Sequence, residues 1–339
     1  MAISERTGIS HIREIVSASR CPSCHKEALY IKLSTVPCHH CGKHYNIKSY
    51  TVDFVENNKF LYYNDSITKR SLKIWGKSLH SDITGSFPSE WHNFSFSRIF
   101  PNGFLEGKII LEIGCGIGID AVLTTRKNPG KVYFAVDIGE NVIAISERDK
   151  NISNLHYLRG DCLNLPVKDS YFDSVLSYGV FHHTNDPLMC MKEAFRALKY
   201  DGSIYVYLYK NHEHNPLKYL GVMLERIIMS ITSKMSIKTG KMICMLISPI
   251  VLVLFSWPAQ LLKRNKMLEK IGYSFPLHWG TTPGSIMPDL QDRLLSPVNH
   301  RFSKKNFLRL FLEAGFSGVQ IVTDNTGHYG YAIKQKSSA

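Results

Sequence analysis

Apolar positions fall into two rhythms between residues 108 and 210. Short apolar runs read as strands: IILEI at 109–113, VYFAVD ending at Asp137, then LHYLRGD, FDSVLSYG and GSIYVYLYK. Between them, stretches such as PLMCMKEAFRALK repeat apolar side chains every three or four positions, the period of a helix. Strands alternating with helices predict a mostly parallel, doubly wound sheet, with ligands bound at the carboxyl ends of its strands. Near the end, SKKNFLRLFLEAGF sets Phe307, Leu308, Phe311 and Leu312 on one helix face, with Ser303 and Gly315 as caps. SGVQIVTDNTGHYGYAIK then reads as two strands around an Asn and Gly turn.

One stretch breaks the rhythm. Residues 242–262, MICMLISPIVLVLFSWPAQLL, carry no charge over about twenty positions, enough to cross a bilayer by length. A crossing would put strands on opposite sides of the membrane, and both flanks are basic, at Lys241 and at Lys263, Arg264 and Lys266. Pro249 and Pro258 are expected to divide any helix here into short pieces. About ninety residues separate Tyr209 from the last helix, where a crossover needs about a dozen. The excess starts at the carboxyl end of a strand, beside the ligand site, and reads as a lid. Residues 210–270 hold ten Lys or Arg against three acids, so +7 of the chain's net +13 lies there. Apolar and basic together suit an anionic membrane surface; a helical subdomain packed on the core or on a second subunit is the alternative.

The eight cysteines divide unevenly. Cys21, Cys24, Cys38 and Cys41 form two C-x-x-C pairs in CPSCHKEALYIKLSTVPCHHC, the spacing of a four-thiolate zinc site with every position closed, hence structural. His25, His39, His40 and His44 crowd it and are expected to stay outside the ligand set. The ribbon is either a stability clip or a docking surface for RNA or a partner. The first residues, MAISERTGISHIREIV, lack the apolar core of a secretory signal, which favours a cytoplasmic setting. A net charge of +13 favours polyanions: nucleic acid, anionic lipid or an acidic substrate.

The glycine loop discriminates further. Gly114, Gly116 and Gly118 give G-x-G-x-G, and Ile119 stands where a dinucleotide fold wants its third glycine. Asp137, about twenty residues on, is placed to accept from a ribose diol. With V-D at the second strand end, G-D-C after the third and L-K-Y-D-G-S before the fifth, the segment E-I-G-C-G-I-G resembles motif I of class I S-adenosylmethionine (SAM) dependent methyltransferases, of the type 11 kind. The resemblance covers roughly 105–209 and resumes from about 297. It implies a seven-stranded Rossmann-like sheet and SAM as cofactor. It places Gly114, Gly116 and Gly118 against the methionine and adenosine, Glu112 beneath the loop or facing the methionine amine, and Asp161 with Cys162 beside the adenine. Cys115 and Ile138 complete that set as loop neighbours, though Cys115, like Cys190, also reads as packing. Asp161 could instead cap a turn, and Cys162 could be a small core residue.

Because SAM carries its own leaving group, the protein's main task is alignment, and a base is needed only for a protonated nucleophile. His182 and His183 follow the fourth strand in SYGVFHHTNDP; His300, in S-P-V-N-H-R-F-S, and His278 are secondary candidates, each with a structural alternative. Tyr178 is a candidate pocket wall. The predicted organisation is a zinc ribbon over 1–55, a linker and SAM-covering segment over 56–104 in which Trp91 and Phe94 could close the site, a SAM-binding core over 105–209, a helical lid over 210–302, and the last helix and hairpin over 303–339. The functional expectation is methyl transfer to a hydrophobic small molecule or lipid-like acceptor, with peripheral membrane contact through 216–266. RNA base methylation with the ribbon docking RNA, and a non-catalytic SAM-binding scaffold, are the alternatives.

Overall fold

A computed structural model describes residues 2–55, 91–232, 234–296 and 298–336. Most of the predicted linker, and the side chains of Trp91 and Phe94, lie outside the described residues. The strands are β1 (Thr35–Pro37), β2 (His44–Lys48), β3 (Thr51–Asp53), β4 (Ile109–Ile113), β5 (Val132–Asp137), β6 (Leu155–Arg159), β7 (Phe172–Tyr178), β8 (Leu198–Tyr209), β9 (Ser317–Thr323) and β10 (Gly327–Ile333). They form one sheet in the order β1-β2-β3-β6-β5-β4-β7-β8-β10-β9. The sheet therefore has ten strands rather than the seven expected. Seven of them, β6-β5-β4-β7-β8-β10-β9, make the Rossmann-like methyltransferase arrangement, parallel except for the terminal hairpin. The three extra strands belong to the ribbon: β3 pairs parallel with β6, Val52 beside Leu158 and Asp53 beside Arg159.

Period-2 patterning explains how both faces of this sheet are filled. In β8, Ile204, Val206 and Leu208 point to one face, while Tyr205, Tyr207 and Tyr209 point to the other. The first face packs on the helices Ala2–Ala18, Pro187–Ala197 and Lys304–Ala314. The second packs on Trp91–Ile99, Ile119–Lys127 and Asn141–Arg148, and its Tyr205 ring meets those of Phe96 and Phe100 at 5.9 and 6.2 Å. The last helix carries the expected caps: the Ser303 side chain accepts from Asn306 N, and Gly315 takes φ 105°.

The insertion is helical and has a small core of its own. Its helices are Pro216–Thr232, Ile237–Val251, Trp257–Lys263, Glu269–Ser274 and Pro283–Leu295. Cys244, Val251 and Leu252 meet Ile286, Leu290, Leu294 and Leu295. The prolines do not divide the apolar stretch. A π-helical turn, Leu252–Ser256, joins its two α-helical parts into one run, Ile237–Lys263. The wider turn leaves room ahead of Pro258, which sits at the start of the next helix, where its missing N–H needs no partner. This run is long and apolar enough to cross a membrane, and only 33% of its apolar window is buried. β8 precedes it and β10 follows it, and the two pair from Gly327 beside Tyr209 to Ile333 beside Ser203.

Candidate active site

The site is built where β4 stops. Gly114, Gly116 and Gly118 take φ of 82°, 53° and 74°, left-handed conformations that favour glycine. A Cβ on Gly114 would lie 2.1 Å from Val180, and one on Gly118 would lie 2.5 Å from the Tyr157 hydroxyl. Asp137 holds this loop from the end of β5: its carboxylate accepts from Gly116 N and Gly139 N, each at 2.8 Å. Asn141 donates to the carbonyl of Gly116, while its own Oδ1 is buried and unpartnered. Arg159 donates to the carbonyl of Ile138 and is itself bridged to buried Asp53 on β3 at 2.8 Å. The ribbon thus braces the loop after β5.

Glu112 sits beneath the glycines, almost fully buried, with the Tyr133 hydroxyl donating to it at 2.9 Å. Burial, with Asp120 and Asp137 nearby, pushes its carboxyl up to about 8. A cation arriving here would restore the carboxylate. Burial also raises Cys115, well above the usual thiol range. Asp161 accepts from Leu163 N at 2.9 Å, and burial lifts it to about 6. The Cys162 thiol lies 3.3 Å from that of Cys190. The bare glycine cradle, the unpartnered Asn141 oxygen and the uncompensated Glu112 together fit a ligand with donors, a cation and a close-fitting backbone contact, as SAM has.

Past β7 the histidines occupy different environments. His182 is fully buried, and neither ring nitrogen has a partner. Its ring lies 4.1 Å from those of His183 and Tyr209. Burial first, then the neighbouring His183, Arg301, His300 and Arg293, hold it neutral far below its ordinary range. His183 is braced: Asp292 Oδ1 lies 3.2 Å from Nε2, and the carbonyl of Val298 lies 2.9 Å from Nδ1. His300 Nε2 donates to the carbonyl of Thr184 at 3.1 Å, and its backbone N–H donates to the carbonyl of His182 at 2.8 Å. His278 lies in the insertion, against the carbonyl of Phe275 and the ring of Tyr273, and burial lowers it to about 4. Tyr178 stacks on Tyr207 at 4.2 Å, and burial raises its hydroxyl well above the usual range.

A buried ionic network ties the insertion to this corner. Glu225 bridges Arg293 at 2.8 Å and Arg301 at 2.7 Å; Arg293 also meets Asp289 at 2.6 Å. Asp292 accepts from the Tyr209 hydroxyl at 3.0 Å. Burial pushes Glu225 and Asp292 up, but the cationic and hydrogen-bonding partners outweigh it, and both titrate below the ordinary carboxylate range.

Residues 111–206 match the family model described as a methyltransferase domain. The chain is 31% identical over 115 residues to a phthiotriol/phenolphthiotriol dimycocerosates methyltransferase of Mycobacterium ulcerans, covering 34% of this chain and 42% of that one. It is 36% identical over 78 residues to a fatty-acid O-methyltransferase of Mycolicibacterium smegmatis, covering 23% and 28%. The chain therefore spans less than half the length of these relatives. Among solved structures, a phosphoethanolamine N-methyltransferase of Haemonchus contortus with phosphomonomethylethanolamine and S-adenosylhomocysteine aligns at a TM-score of 0.42 and 13% identity, over 72% of this chain and 52% of that one. The sequence matches support a SAM-dependent methyltransferase.

Outside the methyltransferase domain, the four ribbon cysteines come together, their sulfurs all within 4.8 Å of one another. The two knuckles are near copies. Cys21 and Cys38 each donate a backbone N–H five residues ahead, to Lys26 and Lys43, and the residues after the second cysteines, His25 and Gly42, take φ of 60° and 70°. Four sulfurs so placed fit a tetrahedral thiolate metal site. His39 instead stacks on Tyr30 at 3.8 Å. Asn141, Arg159 with Asp53, Tyr209, Asp292 and Arg301 were not singled out from sequence. Asn141, four residues past Asp137, and Arg301, beside His300, had local signals. The others act through pairings distant in sequence.

Proposed function

We propose that the chain is a SAM-dependent methyltransferase acting at a membrane surface, from the cytoplasmic side, on a hydrophobic small molecule or lipid-like acceptor. The observation that carries this reading is the outer face of the insertion. Met242, Met245, Leu246, Ile250, Val253, Leu254, Trp257 and Leu261, spaced three or four apart, are each at least half exposed. Leu220, Leu224, Ile227 and Ile231 extend the face along the helix Pro216–Thr232. Exposed Arg226, Lys234, Lys238, Arg264, Lys266 and Lys270 lie on the same helices and their connections. Exposed apolar side chains accompanied by cations fit an anionic bilayer surface. The pairing of β8 with β10 supports lying on the bilayer rather than crossing it, since a single crossing would separate the two strands. The dimycocerosate and fatty-acid names of the two relatives point to the same class of acceptor.

In this reading Gly114, Gly116, Gly118, Cys115, Asp137, Ile138, Asp161, Cys162 and Tyr178 surround SAM, with Glu112 facing its ammonium. Bound SAM supplies an electrophilic methyl group on a positively charged sulfur. Asp137 meanwhile keeps the Gly116 and Gly139 amides in place, and Arg159 fixes the Ile138 carbonyl. His183 is held by Asp292 and Val298 and His300 by the Thr184 carbonyl, leaving His182 as the histidine of this corner with both ring nitrogens unpaired. Zn²⁺ on Cys21, Cys24, Cys38 and Cys41 is the structural metal.

The test uses purified protein, methyl-labelled SAM and an extract of the source cells, partitioned between organic solvent and water. Label in the organic phase is expected. Nuclease-sensitive label in water would replace this reading with RNA methylation, and SAM binding without transfer to either phase would favour the scaffold.

A further inference from the structure

The corner beside His182 holds cations whose hydrogen-bonding capacity is incompletely used. Arg301 has a side chain 2% exposed, lies 4.9 Å above the Tyr209 ring and donates to Glu225, yet its Nη1 is buried without a partner. Lys218, in the first turn of the first insertion helix, is 7% exposed, and its Nζ reaches the backbone carbonyl of Asn325 at 3.3 Å. Lys210 donates to the neighbouring carbonyl, that of Asp324. The Asp324 carboxylate is turned to Thr326 and Gly327 instead. Neither lysine forms a salt bridge among the described residues. The acids of the corner are engaged elsewhere: Glu225 with two arginines, Asp289 with Arg293, and Asp292 with His183 and Tyr209. His212 lies among Lys218, Lys210, Arg301 and Arg293, and its ring is driven down to about 2 by burial and then by these four charges. The focus sits where β8 leaves the core and the apolar insertion begins.

Resting on the reading above, we infer that the acceptor is an apolar molecule ending in a carboxylate, seated on Arg301 Nη1 and Lys218 Nζ, and that its product is the methyl ester. A buried arginine donor and a lysine with unused hydrogens are matched by an oxyanion, and charge-assisted hydrogen bonds of this kind are strong. Burial, with Arg301 and Arg293 nearby, opposes any role in which His182 takes up a proton. The nucleophile must then arrive already ionised, as a carboxylate does at neutral pH. One carboxylate oxygen forms the new O–CH₃ bond as the S–CH₃ bond of SAM breaks. The bonding pair stays on sulfur, leaving an ester and a neutral thioether, with no proton to remove. Opposite charges cancel in this step, and exclusion of water favours it over the separated ions.

Two measurements test this. Binding of palmitate and of hexadecanol to the SAM-free protein is compared for the wild type, Lys218→Met and Arg301→Gln, with thermal melts to confirm folding. Palmitate is expected to bind tenfold or more tighter than the alcohol, and either variant to lose most of that preference. Equal binding of the two probes by the wild type, or a preference intact in the folded variants, overturns the seat. Lys218→Met leaves no buried acid unpaired, so it reports even where Arg301→Gln fails to fold. In the second measurement, label transferred from methyl-labelled SAM to a lipid extract is treated with mild alkali. Release as methanol supports the ester. Alkali-stable label in the organic phase overturns the carboxylate and leaves lipid methylation standing, whereas no organic-phase label removes both.

Discussion

The ribbon and the insertion are both additions to a seven-stranded core, and they handle apolar surface in opposite ways. In the ribbon segment Val36, Tyr45, Val52 and Phe54 are all buried in one cluster with Val136, Leu158 and Leu165 of the sheet. The insertion holds the most apolar stretch in the chain and leaves one side of it uncovered. Backbone pairing accounts for the difference. β3 is hydrogen-bonded into the sheet and brings its side chains inside with it. The insertion helices satisfy their own backbones, need only one face packed, and leave the other for a different solvent. Hydrophobicity along a sequence therefore does not report where a segment ends up; the pairing partner does.

The comparison is broken most severely by removing the metal proposed for the four ribbon cysteines. Cys38→Ser, or a strong chelator, is expected to destabilise the whole sheet by about 4–5 kcal/mol, because the ribbon shares its core; thermal unfolding with and without chelator measures this. Asp53→Ala comes next. It leaves Arg159 buried and unpaired, at about 3–5 kcal/mol, and loosens the Ile138 carbonyl, so SAM affinity should fall together with the melting temperature. The insertion should respond in the reverse sense. Replacing Leu246, Leu254 and Ile227 with Gln is expected to change stability by less than about 0.5 kcal/mol each while abolishing sedimentation with anionic vesicles.

A pH dependence is expected at Glu112. Its folded carboxyl titrates near 8, above the 4.5 of the free group, so folding favours the protonated form. Its contribution is most favourable below the unfolded value and is lost as pH rises toward 8, and Glu112→Gln should raise the melting temperature at pH 8 more than at pH 4.5. A ligand ammonium reverses the preference. SAM binding should then release a proton and tighten as pH rises from 6 to 8, which calorimetry in two buffers would detect.

The parts legible in the sequence were those whose signal is local. The runs in β4 to β8, the glycine loop, the caps at Ser303 and Gly315 and the C-x-x-C knuckles each sit within a few residues, and the structure contains them all. The ten-stranded sheet was not legible, because β3 is three residues long and its partner lies more than a hundred positions away. The environment of the histidines was hidden for the same reason. His182 and His183 are adjacent in sequence, yet one is braced by Asp292 from the insertion and the other has neither ring nitrogen paired. Pro249 and Pro258 misled because a π turn absorbs the second of them.

With β3 laid along β6, the sheet's free margin on that side moves from Leu155–Arg159, five residues of core strand, to β1, three residues ending in Pro37. A short edge closed by proline offers little for another chain to pair with. A protein that loses its ribbon would expose the unpaired backbone of β6 in every molecule at once. Loss of the proposed metal should accordingly end in precipitation rather than reversible unfolding, which would make the four-cysteine cluster a guard on solubility as much as a clip.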